Sequence, residues 1–211
     1  MLNRSINRRT FSSFIAVSST ALGVSSAHAA AATVGQAAPA FTALDATGKS
    51  HKLADFKGKL VVLEWTNPGC PFVVKHYGGN MQALQKDFTA KGVVWLSVNS
   101  TAQDAADYLA PAKLMAWKAE KKASATAMLM DDAGTIGQLY GAKTTPHMYI
   151  INPQGVLVYA GAIDSVPSAR ADDIKLATNY VRQGLTQALA GKPISTSTTQ
   201  AYGCSVKYKS A

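Results

Sequence analysis

Cysteine is almost missing from this 211-residue chain, which has only Cys70 and Cys204. Stability therefore has to come from a buried core instead of a disulfide framework, and the chain is long enough to form one. A glycine-rich phosphate loop is absent, as is a Ser-His-Asp pattern, which sets aside nucleotide enzymes and hydrolases. Acidic residues are sparse, with 12 Asp and Glu against 21 Lys and Arg and a formal charge of +9. Arg4, Arg8 and Arg9 lie in an N-terminal leader whose removal lowers that charge to +6. The lysines are scattered and not massed on one stripe, so no nucleic-acid partner is expected.

The leader itself is informative. Met1–Ala29 combines those arginines with a modest apolar run from Phe11 to Val24 and ends on Ala27-His28-Ala29, the layout of a secretory signal. Arg8-Arg9 before Thr10-Phe11 resembles a twin-arginine export motif, with ordinary export as the alternative. The apolar run is too short and too serine-rich to stay in a bilayer, and no amphipathic membrane segment follows it, so no stable membrane anchor is expected. The expected location is periplasmic, where oxidising conditions allow a bond between Cys70 and Cys204. The expected organisation is a leader over 1–29, one domain over 34–191, and a tail over 192–211 carrying the second cysteine.

Along the domain, turn residues between short apolar stretches predict a small hairpin within Phe41–Phe56. Leu60–Trp65 is apolar except for Glu64, as a strand buried on both faces should be, and Val93–Val98 repeats that character. Between them Pro71–Ala90 reads as helix, with a break at Gly78-Gly79 and Asn80 as cap of the second piece. Thr101 and Asp104 resemble a capping box opening a helix that Pro111 distorts near its middle. A strand end at Met128–Met130, a brief helix over Gly134–Tyr140 and a hairpin of His147–Ile151 with Val156–Ile163 follow. Ala171–Leu189 closes the domain as an amphipathic helix, with Ile174, Ala177, Val181, Leu185 and Leu189 on one face. Beyond Gly191 the chain is polar, a tether for an end that can dock through Tyr202, Val206 and Tyr208. The expected class is α/β, a mixed central sheet flanked by helices, with an N-terminal hairpin and a C-terminal tail.

Cys70 stands where the first strand runs into a helix, followed by Pro71, a residue suited to a first helical position. Unpaired N–H groups and the helix dipole at that point favour a thiolate. The other reading of Cys70 is a small apolar side chain in a buried corner.

The order of strand, cysteine at a helix start, strand, helix, Thr-Thr-Pro before a strand, hairpin and helix resembles a thioredoxin-fold redoxin. The strings GCPFVVKHY, KTTPHMYIINPQGVLVYAGAID and YGCSVKY are similar, more narrowly, to the peroxiredoxin-like (AhpC/TSA-like) group of bacterial thioredoxin-family proteins. The resemblance implies that Cys70 is the nucleophile. Val73 occupies the place of the second cysteine of a Cys-x-x-Cys site, so Cys204 is implied as a distant resolving thiol. Pro146 matches the cis-proline loop, which exposes the backbone of Thr145 to an extended substrate, with Phe72 on the rim of the groove. Glu64 matches a buried acid beneath the site that serves as proton acceptor; a carboxylate at the strand edge, exposed or paired with Lys75, is the alternative. Lys75 and His76 are read as solvated, or as lowering the pKa of Cys70 if they face it.

A peroxidase needs a threonine or serine three residues before the cysteine, and a nearby arginine. Asn67 holds that first place, able to donate a hydrogen bond, and only Arg170 and Arg182 follow the leader. Thiol-disulfide exchange is therefore expected ahead of peroxidase activity. It implies protein or small-molecule disulfides or peroxides as substrates, an electron-donating thiol partner, no metal and no organic cofactor. Two alternatives stay open. One is a copper-binding role through Cys70 with His76, Met81, His147 or Met148; the other is a non-catalytic domain in which the two cysteines form a structural bridge.

Overall fold

The computed structural model describes residues 1, 2 and 32–209, so the expected leader, apart from its first two residues, lies outside the described residues. The hairpin forms from Thr42–Leu44 (β1) and Ser50–Lys52 (β2). Val61–Trp65 (β3) leads into two short helices, Pro71–His76 (α1) and Asn80–Thr89 (α2), and then Val94–Asn99 (β4). Next come Pro111–Glu120 (α3), Ala127–Met130 (β5), Thr135–Tyr140 (α4) and the two-residue Thr144–Thr145 (β6). His147–Ile151 (β7), Leu157–Gly161 (β8), Tyr180–Leu189 (α5) and the two-residue Cys204–Ser205 (β9) complete the order.

Successive strand side chains point to opposite faces, so a run that is buried throughout needs cover on both sides. β3 and β4 are such runs. The five-stranded sheet has the order β5-β4-β3-β7-β8, with β3, β4 and β5 parallel and β7 and β8 antiparallel to their neighbours. On one face Val62, Trp95, Met148 and Ile150 pack against Val73, Leu84, Phe88, Leu114 and Leu185 from α1, α2, α3 and α5. On the other, Val61, Leu63, Trp65 and Leu96 pack against Phe41, Ile136 and Tyr140. Each large side chain so buried contributes roughly 1.5–3 kcal/mol. Glu64 alternates onto the helical face, the side on which Cys70 lies.

Several elements differ from the sequence expectation. Asn80 is the first residue of α2 and not its cap; Gly79, at φ +137°, makes the turn. No helix opens at Thr101, because the Asn99 carbonyl side-chain oxygen takes the Thr101 N–H at 3.0 Å and turns follow. Helix α3 instead starts at Pro111, whose missing donor is harmless in a first turn. The closing helix is split: a 3-10 turn spans Ala171–Lys175, and Asn179 then caps α5 by accepting the Arg182 N–H at 2.8 Å. Ile174 and Ala177 therefore lie outside the final helix. The polar stretch before Cys204 is not a loose tether either. Thr198 bridges Ala160 of β8, and the Thr199 hydroxyl accepts the Ala162 N–H at 2.9 Å.

Candidate active site

The loop after β3 is fastened by its own side chains. Asn67 accepts the Gly69 N–H at 2.8 Å, and its amide nitrogen donates to Asp107 at 2.8 Å and to Thr101 at 3.2 Å. The Cys70 N–H returns to the Asn67 carbonyl at 3.0 Å, so the chain enters α1 with Cys70 as its N-terminal cap and Pro71 in the first turn. Cys70 is only 2% exposed. Because α1 has six residues, specific contacts matter here more than a long helix dipole.

Those contacts come from two segments distant in sequence. The Thr145–Pro146 bond is cis, and the Thr145 carbonyl oxygen lies 3.0 Å from Cys70 Sγ. Cys204 Sγ lies 2.8 Å from the same sulfur. Cys204 is delivered by β9, which pairs antiparallel with β6 in the register Thr145 to Cys204 and Thr144 to Ser205. Burial raises the pKa of Cys70, but hydrogen bonding from Cys204, from the Thr145 side chain and from the backbone of Val73 and Cys204 outweighs it, leaving a lowered value. Cys204 is pushed the other way, up to about 11, by burial, by its bond to Cys70 and by the charge on Cys70. The two sulfurs are thus chemically unequal, Cys70 giving up its proton more readily than Cys204.

Around the sulfurs lie two buried polar clusters. Glu64 is fully buried, neither at an edge nor paired with Lys75; it accepts from Tyr77 at 2.7 Å, Trp95 at 2.6 Å, Ser97 at 3.0 Å and Gln85 at 3.1 Å. Burial still raises its pKa against those four donors. Lys75 and His76 are buried too, contrary to their reading as solvated. Asp164 explains this: its Oδ2 lies 3.7 Å from Lys75 Nζ and 3.8 Å from His76 Nε2, while its Oδ1 accepts from the Tyr202 hydroxyl. His76 Nε2 also meets that hydroxyl at 3.2 Å, and the Asn80 amide faces Nδ1 at 2.8 Å. Burial holds His76 at about 4, so it is neutral near pH 7. The Tyr202 ring meets Phe72 edge-on at 5.8 Å between centroids.

A family model described as the AhpC/TSA family matches residues 34–160, more than half of the chain. The chain belongs to the AhpC/TSA family. Among solved structures, this AhpC/TSA member is similar to a hypothetical protein from Sinorhizobium meliloti, with TM-score 0.73 and 22% identity over 86% of this chain and 98% of that one. It is also similar to an uncharacterized conserved protein from Geobacillus kaustophilus, with TM-score 0.70 and 25% identity over 85% and 94% of the two chains. A protein from Chlorobium tepidum described as a thiol:disulfide interchange protein, DsbE, aligns with TM-score 0.55 and 25% identity over 75% of this chain and 99% of that one. No curated protein matches the chain. The fold is that of a thioredoxin-like redoxin, as the motifs implied.

The structure gathers Cys70, Cys204, Thr145, Pro146 and Phe72 in this family member. It turns the Asn67 side chain to Gly69, Thr101 and Asp107, and it leaves Glu64 with no hydrogen bond to either sulfur. Arg170 pairs with Asp173 and Arg182 with Asp87. Of the residues considered for copper, His76 has partners at both ring nitrogens, and Met81 and Met148 are core. Among the described residues no group of three or more His, Cys, Asp or Glu is arranged to hold a metal. Sequence reading missed Asp164 and Gly203. The first had a signal, an isolated carboxylate ending the apolar run Tyr159–Ile163.

Proposed function

We propose that this AhpC/TSA-family chain is an exported thiol-disulfide oxidoreductase with a two-cysteine cycle. Cys70 is its nucleophile, Cys204 its resolving thiol, and residues 192–211 the arm that carries the latter behind a domain over 34–191. The observation that carries the reading is the 2.8 Å approach of two sulfurs whose proton affinities are pushed in opposite directions. In the cycle, the Cys70 thiolate attacks one sulfur of a substrate disulfide, breaks the S–S bond and expels the first substrate thiolate. Cys204 then gives up its proton and attacks Cys70 Sγ, expelling the second substrate thiolate. A Cys70–Cys204 disulfide remains, two electrons have passed to the substrate, and its two thiolates take up the Cys204 proton and one from solvent. An external thiol restores the enzyme. Its first sulfur attacks the more exposed Cys204 and releases Cys70, the better leaving group because of its lower pKa. A second donor sulfur then attacks the mixed disulfide, frees Cys204 to take up a proton, and leaves as the donor's disulfide.

Neither a metal nor an organic cofactor enters these steps. Glu64, in this reading, is a buried acid on the Cys70 side of the sheet that takes up a proton when the Cys70 thiolate forms. Export is supported by the arginine-bearing leader with its apolar run and small terminal residues. Peroxide reduction ranks second. The Asn67 amide nitrogen is committed to Asp107 and Thr101, and Arg170 and Arg182 are each paired with a carboxylate, which weighs against the polarising groups that the peroxidase site requires. The test is stopped-flow kinetics of the purified, reduced protein with a disulfide and with hydrogen peroxide. The disulfide is expected to react faster, and the opposite order refutes the proposal.

A further inference from the structure

The geometry points to the substrate class. We propose that residues 198–208 form a built-in occupant of the strand position beside the cis-proline loop, and that they make low-molecular-weight disulfides, not extended polypeptide disulfides, the substrates of Cys70. This rests on the oxidoreductase reading above.

An extended polypeptide presented to Cys70 has to add a strand to the backbone of Thr144 and Thr145. In this protein that edge is already paired with Cys204 and Ser205 of its own chain. The fit is carved on both partners. A Cβ on Gly203, which sits at φ +137°, would come within 2.0 Å of the Thr145 carbonyl oxygen. A Cβ on Gly161 would come within 2.2 Å of the Thr199 hydroxyl, and one on Gly137 within 2.4 Å of the Tyr208 hydroxyl. Three glycines thus permit close approach along the whole segment, one on the strap and two on the body beneath it.

The strap is anchored on both sides of Cys204. Before it, Tyr202 is held by Asp164, His76 and Phe72. After it, the Val206 N–H donates to the Lys143 carbonyl at 3.0 Å, the Ala102 N–H to the Lys207 carbonyl at 2.8 Å, and the Tyr208 hydroxyl to the Ala142 carbonyl at 2.7 Å. A small disulfide needs only the Cys204 side chain and its immediate turn to shift. A polypeptide needs β9 stripped from β6, against anchors at both ends.

The test uses the full chain carrying Cys204→Ser, so that Cys70 is the sole thiol, with and without Gly203→Ala; Tyr208→Ala is a second release variant. Each protein is alkylated with N-ethylmaleimide and with the same maleimide on an extended peptide of about ten residues. Release is expected to raise the peptide reagent's rate relative to N-ethylmaleimide about tenfold, the scale of losing a backbone hydrogen bond or two. Hydrogen exchange over 198–208 reports whether the strap has let go. A ratio that does not move in a variant whose 198–208 amides exchange freely overturns the proposal, as do amides that stay protected in both release variants. Turnover of the unmodified protein is scored separately, with a small disulfide and a disulfide-linked polypeptide; the small one is expected to turn over about tenfold faster. If no disulfide turns over while the alkylation ratio still shifts, the strap stands and the oxidoreductase reading falls. If disulfides turn over with no preference for the small one, the reverse holds.

Discussion

Glu64→Gln distinguishes a buried acid that carries a proton from one that merely accepts hydrogen bonds. The side chain is enclosed by Tyr77 on one oxygen and by Trp95, Ser97 and Gln85 on the other. A glutamine keeps its carbonyl oxygen toward those last three donors, and its amide donates to the Tyr77 oxygen once that hydroxyl rotates. At pH 4 the change therefore costs only about 0.5–1.5 kcal/mol, the scale of one altered neutral hydrogen bond. The pH dependence is the decisive part. Burial raises the folded pKa of Glu64 above its unfolded value, so the protonated form stabilises the fold at low pH, and that contribution is lost as pH rises through the folded pKa. Glutamine has no proton to lose. The difference in unfolding free energy between wild type and variant should accordingly swing toward the variant by about 1.4 kcal/mol per pH unit above roughly pH 4.3, then level off once the folded pKa is passed. Urea titrations of reduced protein from pH 4 to 8, monitored by tryptophan fluorescence, measure it. A difference that stays flat with pH means that the carboxyl is ionised as readily in the fold as in the unfolded chain, and removes Glu64 as a proton acceptor.

Cys204→Ser should stop the cycle after its first step, so that mixing with a small disulfide leaves a stable adduct on Cys70 by mass spectrometry; prompt release of both substrate thiols would mean that Cys204 does not resolve it. His76 and His147 are each held at about 4 chiefly by burial. The unfolded chain takes up their protons first, so stability is whole above about pH 6.5 and falls toward pH 4 by up to roughly 3 kcal/mol for each histidine. A His147→Gln variant whose unfolding free energy changes as much as wild type's between pH 7 and pH 4.5 would contradict this. Trp95→Phe removes the 2.6 Å donor to Glu64 and leaves a gap in the core. It should cost about 2–3 kcal/mol in urea titrations, and a loss under about 0.5 kcal/mol would mean the bond is unimportant.

The central sheet was legible because β3 and β4 are continuous apolar runs, a pattern that only a doubly covered strand requires, and because Gly78-Gly79 marks the break between α1 and α2. The errors have local causes. Thr101 and Asp104 carry a capping-box spacing, but the Asn99 side chain competes for the Thr101 N–H and wins. The apolar rhythm of Ala171–Leu189 conceals an interruption where Leu176 is 82% exposed and Asn179 starts a new helix. At the site, Cys70 could be singled out from its place before a helix, and Thr145, Pro146 and Cys204 from the family resemblance, yet their separations could not, since these depend on three segments meeting at one end of the sheet. Burial of Lys75 and His76 was hidden for the same reason. A lysine and a histidine side by side on a short helix read as solvated until a carboxylate from beyond β8 is placed against them.

Both outer strands of the five-stranded sheet carry a guard drawn from the chain's own extremities. The N-terminal hairpin bridges β5 through Asp45 and Leu129, and the Ala46 N–H donates to Met128 at 2.8 Å. At the opposite rim, Ala37 bridges Val156 and Thr198 bridges Ala160. An unguarded rim is a template for pairing with a second molecule. Proteolytic loss of residues 198–209 would thus remove more than a sulfur: it would uncover the Ala160 part of β8 and open that rim to pairing with another copy of the chain.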